Sequence, residues 1–197
     1  RDRGKYTYIL FDNIGYRVVF FFNCLKSAVS PRFYPELFFK QLIKIGYNSL
    51  PVVGLTAIFT GMVLALQSYT GFSRFSAESA IPNVVVLSIT RELSPVLAGL
   101  MVAGRSGAAI AAEIGTMRVT DQIDALDTLS TRPMQYLVAP RLLAGTICLP
   151  FLVLVGNVIG VFGGFLVGVY RLGFNPSIYL ARSLEYLEVS DITLGLI

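Results

Sequence analysis

The chain has 197 residues, 54% of them hydrophobic and 14% charged, with a mean hydropathy of +0.67, too little charge to solvate a water-soluble domain of that length. Residues 45–73 and 142–170 carry no charge at all. As helices each would reach about 43 Å, against a hydrocarbon core of about 30 Å, so the sequence reads as an all-α, polytopic integral membrane protein.

Several chemistries are excluded at once. With no His, and with Cys24 and Cys148 far apart, there is no ligand set for a metal and no thiol-redox pair, and no catalytic residue is assigned. No G-x-x-x-x-G-K-[ST] loop occurs, so the chain is expected to bind no cofactor, and any ATP is hydrolysed by another subunit. The net charge of +4 and pI near 9.2 fit basic loops at a membrane surface. The basic residues form no concentrated patch, so no nucleic-acid partner is expected.

Taken in chain order, residues 6–29 are rich in aromatics but interrupted by Asp12, Arg17 and Lys26, which predicts an interfacial helix in the headgroup plane. Pro31 and Pro35 end it. Glu36, Lys40 and Lys44 then recur opposite Leu37, Phe38, Leu42 and Ile45, an amphipathic elbow helix over 34–46. Residues 47–69 form the first span, with Pro51 near its start, where a helix tolerates proline. A polar turn with Gly71, Arg74 and Glu78 follows. The second span, 82–112, holds Arg91 and Glu92 inside it, with Pro95 three residues further on. A polar connection then carries Glu113, Arg118, Asp121, Asp124 and Asp127. Within it Thr120 is expected to cap a short helix bearing Ile123, Leu126 and Leu129 at helical spacing. The third span is 140–170, in which Gly156, Gly160, Gly164 and Gly168 recur every fourth residue. Residues 171–191 read as a polar segment on the opposite side, and 192–197 as the start of a fourth span. The chain is therefore expected to stop inside a helix, truncated before its last spans. No repeat or linker divides it, so 1–197 reads as one domain.

Twelve of the 16 Lys and Arg residues fall in 1–44 and 105–141, which places those segments in the cytoplasm. Arg91 and Glu92 are the main anomaly, because an ionisable group at membrane depth costs at least about 2.5 kcal/mol and usually faces a cavity or a partner. A structural ion pair with another helix and a substrate path are both open readings. Adjacent helical residues point about 100° apart, so the pair does not readily neutralise itself. The glycine ladder and the small residues Gly104, Ala108 and Ala112 read as helix packing. Sliding of these faces during a conformational change is the alternative. The amphipathic connection reads equally as a solvated loop and as a docking surface for a protein. Gln67 and Tyr69 near the end of the first span fit an interface anchor.

GMVLALQ at 61–67, RELSPVLAGLMVAGRSGAAIAAEIG at 91–115 and MRVTDQIDAL at 117–126 resemble the MlaE/YrbE permease family of ABC-type lipid transporters, from about Tyr34 to the end of the chain. The family also includes a chloroplast envelope permease. The resemblance implies a homodimer with two cytoplasmic ATPase subunits, which hold ATP and Mg, and an MCE-domain hexamer on the periplasmic side. It implies phospholipid transport that supports outer-membrane lipid asymmetry, in a bacterial inner membrane or, alternatively, a chloroplast inner envelope. It places a coupling helix in the cytoplasmic region 113–133, with Glu113, Gly115, Arg118, Asp121, Ile123, Leu126 and Leu129 as candidates for the ATPase contact. It also places Leu64, Gln67, Arg91 and Glu92 beside the lipid path. Family members continue for roughly two further spans, and this chain begins without Met, which reads as a fragment. A non-transporting membrane scaffold is the alternative function.

Overall fold

The computed structural model describes residues 34–131 and 133–185, together with 12, 14–20, 22–24, 26, 193 and 195. All regular structure among the described residues is helical. Of the element expected at 6–29, residues 12, 14–20, 22–24 and 26 are helical, and the remainder lies outside the described residues. The fourth span expected at 192–197 also lies outside them, apart from Thr193 and Gly195.

Helix α1, Pro35–Ile45, starts on a proline in its first turn and has Glu36 at its start and Lys44 in its last turn. Those charges oppose the partial charges of the helix ends. Its inner face buries Ile45 and packs Phe38 and Leu42, while Phe39 and Ile43 are exposed. A 3-10 turn, Tyr47–Ser49, leads into α2, Leu50–Phe72. The two run as one helical segment, Pro35–Phe75. Gly46 sits at the junction because a Cβ there would lie 2.8 Å from the Leu42 carbonyl oxygen and 2.9 Å from Cys148 Sγ.

Helix α3 runs from Glu78 to Val119 and contains two π turns, Ile89–Leu93 and Ala103–Gly107. After a turn through Asp121, which takes a left-handed backbone at φ 54°, comes the short helix α4, Gln122–Thr128. Helix α5, Met134–Tyr170, opens on a third π turn, Met134–Val138. Helix α6, Pro176–Glu185, follows in the stretch read from sequence only as polar. The Asn175 side chain accepts hydrogen bonds from the Ser177 N–H (3.0 Å) and hydroxyl (2.6 Å), satisfying donors of the first turn of α6.

The Pro35–Phe75, Glu78–Val119 and Met134–Tyr170 segments are each long and apolar enough to cross a membrane. One buried cluster joins Ile45, Val53, Ala98, Val102, Cys148 and Leu152 at the end of the bundle that carries Lys44, Arg105 and Arg141, called here the basic end. A second joins Ala65, Ile81, Val85 and Ile89 towards the opposite end. Outside these clusters Leu55, Phe59, Val63, Phe151, Val158 and Phe162 are exposed, as expected of helices solvated by lipid, where close packing rather than water expulsion holds helices together.

Candidate functional site

The glycine ladder lies in the seam between the spans. Gly156, Gly160, Gly164 and Gly168 are all buried, and Cβ atoms on the first three would meet Ser94 Oγ, Ile89 and Val85 of α3 in turn. The ladder steps by four residues, whereas its partners step from Val85 to Ile89 by four and from Ile89 to Ser94 by five. The π turn Ile89–Leu93 supplies the extra residue: the Ser94 N–H donates to the Ile89 carbonyl, five residues back. Without that insertion Leu93, not Ser94, would face Gly156, and its bulk would not fit. Ser94 Oγ also donates to the Val153 carbonyl at 3.2 Å, a buried hydrogen bond between α3 and α5. Pro95, which cannot donate, follows directly in the first turn of the next α-helical stretch, so the wide turn and the missing N–H fall together.

The same turn determines where Arg91 and Glu92 go. Ile89 and Ser94 are buried against α5, Thr90 is buried as well, and Arg91 and Glu92 are exposed on the surface of the chain. Gln67 is exposed on α2, and Leu64 is half-buried against the Ala65, Ile81, Val85 and Ile89 cluster. Along α3, Arg91 is 14 residues from Arg105, about 21 Å of helix. Gly104, Ala108 and Ala112 are exposed, with open space around Gly104. They form no buried packing surface among the described residues.

At the basic end three elements converge on one carboxylate. Glu113 Oε2 accepts from Lys44 Nζ of α1 at 2.6 Å and lies 3.3 Å from an Arg141 amino nitrogen of α5. Arg141 is only 7% exposed, and its guanidinium also donates to the Leu137 carbonyl at 3.0 Å. Glu113, a candidate for the ATPase contact, therefore ties α1, α3 and α5 together inside the chain. Beyond it, Gly115 and Arg118 are exposed, and Arg118 pairs with Asp124, folding α4 back on the end of α3. The expected Thr120 cap is absent: its hydroxyl donates to the Thr116 carbonyl at 2.9 Å, and Asp121 takes the cap position without a side-chain bond. The helical i−4 carbonyl competes successfully for that hydroxyl. On α4, Ile123 and Leu126 are half-buried, whereas Leu129 just beyond it is 73% exposed.

At the opposite end α6 covers the bundle. Tyr179 is 1% exposed, edge-on to Phe165 at 5.7 Å, and burial pushes its phenol up to about 12. Arg182 donates to the Ser79 carbonyl at 2.7 Å, holding α6 to the start of α3.

Two cavities meet near Arg105. A cavity of about 130 Å³ lies between α1 and α3, and an open groove of about 750 Å³ runs along α2. Two further cavities, of about 300 and 250 Å³, lie beside Cys148 and beside Arg182. Leu64, Gln67, Arg91 and Glu92 line none of the four. Among the described residues, no group of three or more His, Cys, Asp or Glu side chains is arranged to hold a metal.

Comparison with known proteins identifies the bundle. Residues 38–197 match the family model described as Permease MlaE. A probable ABC transporter permease protein of Rickettsia bellii is 60% identical over 194 residues, covering 98% of this chain and 75% of its own. Its counterpart in Rickettsia typhi is 57% identical over the same shares. The intermembrane phospholipid transport system permease protein MlaE of Haemophilus influenzae is 39% identical over 166 residues, covering 84% of this chain and 64% of its own. The chain belongs to the MlaE permease family, and its three apolar, membrane-length helices are those of an ABC transporter permease.

Proposed function

We propose that this permease carries phospholipid between a bacterial inner membrane and an MCE-domain hexamer on the far side, in support of outer-membrane lipid asymmetry. The observation that carries the reading is the placement of Arg91 and Glu92. The π turn directs two ionisable side chains outward from a membrane-length helix, where water, a polar ligand, another subunit or another group of this chain supplies the solvation they need. The Haemophilus relative's role in phospholipid transport is in keeping with a phosphate as that ligand. Arg91, with its planar fork, suits two phosphate oxygens at once, and Glu92 repels phosphate and favours release. Leu64 and Gln67 border the same path, near the axis of a homodimer.

The basic end faces the cytoplasm by its Lys and Arg content. There α4 and the exposed Leu129 dock on a separate ATPase subunit, one per permease copy, which holds the ATP and Mg. We assign ATP hydrolysis to that subunit and a transport role to this chain, whose sequence carries no phosphate loop.

A photo-crosslinker at position 91 or 92 is expected to capture phospholipid in membranes, and Arg91→Leu is expected to slow lipid transfer by about tenfold or more, the worth of a hydrogen bond to a charged group. Capture of protein alone, with parental transfer rates in Arg91→Leu and Glu92→Gln, makes the pair a structural ion pair and sinks the proposal.

A further inference from the structure

The first π turn serves the residues just discussed; the second, Ala103–Gly107, serves none of them. It exposes Arg105 and turns Ser106 inward. Arg105 donates to Ser49 Oγ at 2.9 Å, so its guanidinium is held at the level where α2 begins. That level is the membrane boundary of α2, because the preceding Tyr47–Ser49 turn leads out to the amphipathic α1.

The 130 Å³ cavity at this point is lined by Gln41, Lys44, Asn48, Arg105 and Ser106, with Ile45, Ala109 and Ile110 closing its apolar side. Ser106 is only 7% exposed and its hydroxyl has no hydrogen-bond partner among the described residues, nor has the buried Gln41 Oε1. A buried hydroxyl left unpaired is costly, and here it sits beside two cations. Lys44 and Arg141 share the single Glu113 carboxylate, and Arg105 adds a further cation held by the neutral Ser49 hydroxyl, so positive charge is in excess. A tetrahedral anion matches the donors: the Arg105 fork, the Lys44 ammonium, the Ser106 hydroxyl and the Asn48 amide.

The cavity is too small for a whole amphiphile, since sites for drug-sized ligands run from about 300 Å³ upwards. It does not stand alone. Asn48 and Arg105 also line the 750 Å³ groove, which continues past Pro51, Gly54, Leu55 and Ile58 of α2 to Ile159 of α5. A cup carrying two cations thus adjoins an open apolar groove along a membrane-length helix, an arrangement that suits a headgroup joined to an acyl chain.

We infer that this cup and groove form a phospholipid site in the leaflet at the basic end, with the lipid phosphate on Arg105, Lys44 and Ser106 and one acyl chain along Leu55, Ile58 and Ile159. It lies about 21 Å along α3 from Arg91 and stands whether or not Arg91 and Glu92 line a path.

The test places a photo-crosslinker at Leu55 in the full-length transporter, reconstituted in phosphatidylethanolamine–phosphatidylglycerol vesicles. Capture of phospholipid is expected, falling about tenfold in Arg105→Gln and clearly in Ser106→Ala. The second variant removes no hydrogen bond and so keeps the fold. Diacylglycerol with the same chains should be captured poorly, and capture from position 91 should be unchanged in both variants. Equal capture in parent and both variants, or of diacylglycerol as readily as phospholipid, reduces the groove to bulk lipid contact and overturns the site. Crosslinking to a second copy or another subunit makes it a protein interface. Displacement of the lipid by millimolar inorganic phosphate makes the cup a site for free anions instead.

Discussion

Glu113 shows how a single side chain divides its energetic role by exposure. Its two partners differ: Lys44 reaches solvent, whereas Arg141 is nearly enclosed. Removing the carboxylate leaves Arg141 buried without its counter-charge, a costly arrangement. Glu113→Gln is expected to lower stability by about 1–3 kcal/mol, whereas Arg118→Gln, which breaks only the exposed pair with Asp124, should cost under about 1 kcal/mol. Thermal denaturation of the purified protein in detergent checks both. Tyr179 is the reverse case, since its buried hydroxyl has no hydrogen-bond partner among the described residues. Its folded-state value of about 12 lies above the ordinary 10. A raised acid value means that the unfolded chain loses its proton first, so this contribution is full below pH 10 and is lost as pH rises towards 12. Tyr179→Phe should therefore be neutral or slightly stabilising at pH 7 and should blunt the loss of melting temperature between pH 10 and 12.

At the scale of elements, periodicity was legible and long-range partnership was not. The fourfold spacing of Gly156 to Gly168 was enough to foresee a packing face, and the charge-free stretches were enough to foresee α2 and α5. The π turns left no mark that could be read from spacing alone, because a one-residue insertion is recognisable only once Val85, Ile89 and Ser94 are seen against the ladder. Nor could the sequence join Lys44 to Glu113, 69 residues on, or Ser49 to Arg105, 56 residues on. Thr120 failed as a cap because a hydroxyl next to a continuing helix finds the i−4 carbonyl first. The tightest place in the bundle is where Gly61 of α2 lies on the Gly160 carbonyl of α5, and Gly163 on that of Ile58. Gly61→Ala forces backbones apart and is expected to cost about 1–3 kcal/mol or more. Gly71→Ala, with open space around it, should be neutral or stabilising by up to about 1 kcal/mol. Denaturation midpoints of the two variants decide the matter.

For the whole molecule, much apolar and small-residue surface on α2, α3 and α5 finds no cover among the described residues, and α4 follows at the basic end. Leu129, just beyond α4, is largely exposed, so Leu129→Asp should leave the chain's own stability within about 0.5 kcal/mol of the parent. The same change should abolish co-purification of an ATPase subunit, since a charge at a desolvated anchor costs several kcal/mol. Normal co-purification and ATPase activity would remove this surface from the docking assignment.

The crossing of α2 and α5 also has a mechanical consequence. Where backbone rests on backbone there are no rotamers to exchange, so neither helix slides or rolls on the other without a collision or a void. The pair acts as a fixed strut. Helix α3 meets that strut through side chains at Ile89 and Val85 and is interrupted by two wide turns, each able to absorb a change of pitch. Any stroke driven from the basic end is therefore transmitted by α3 flexing against a frame that does not deform.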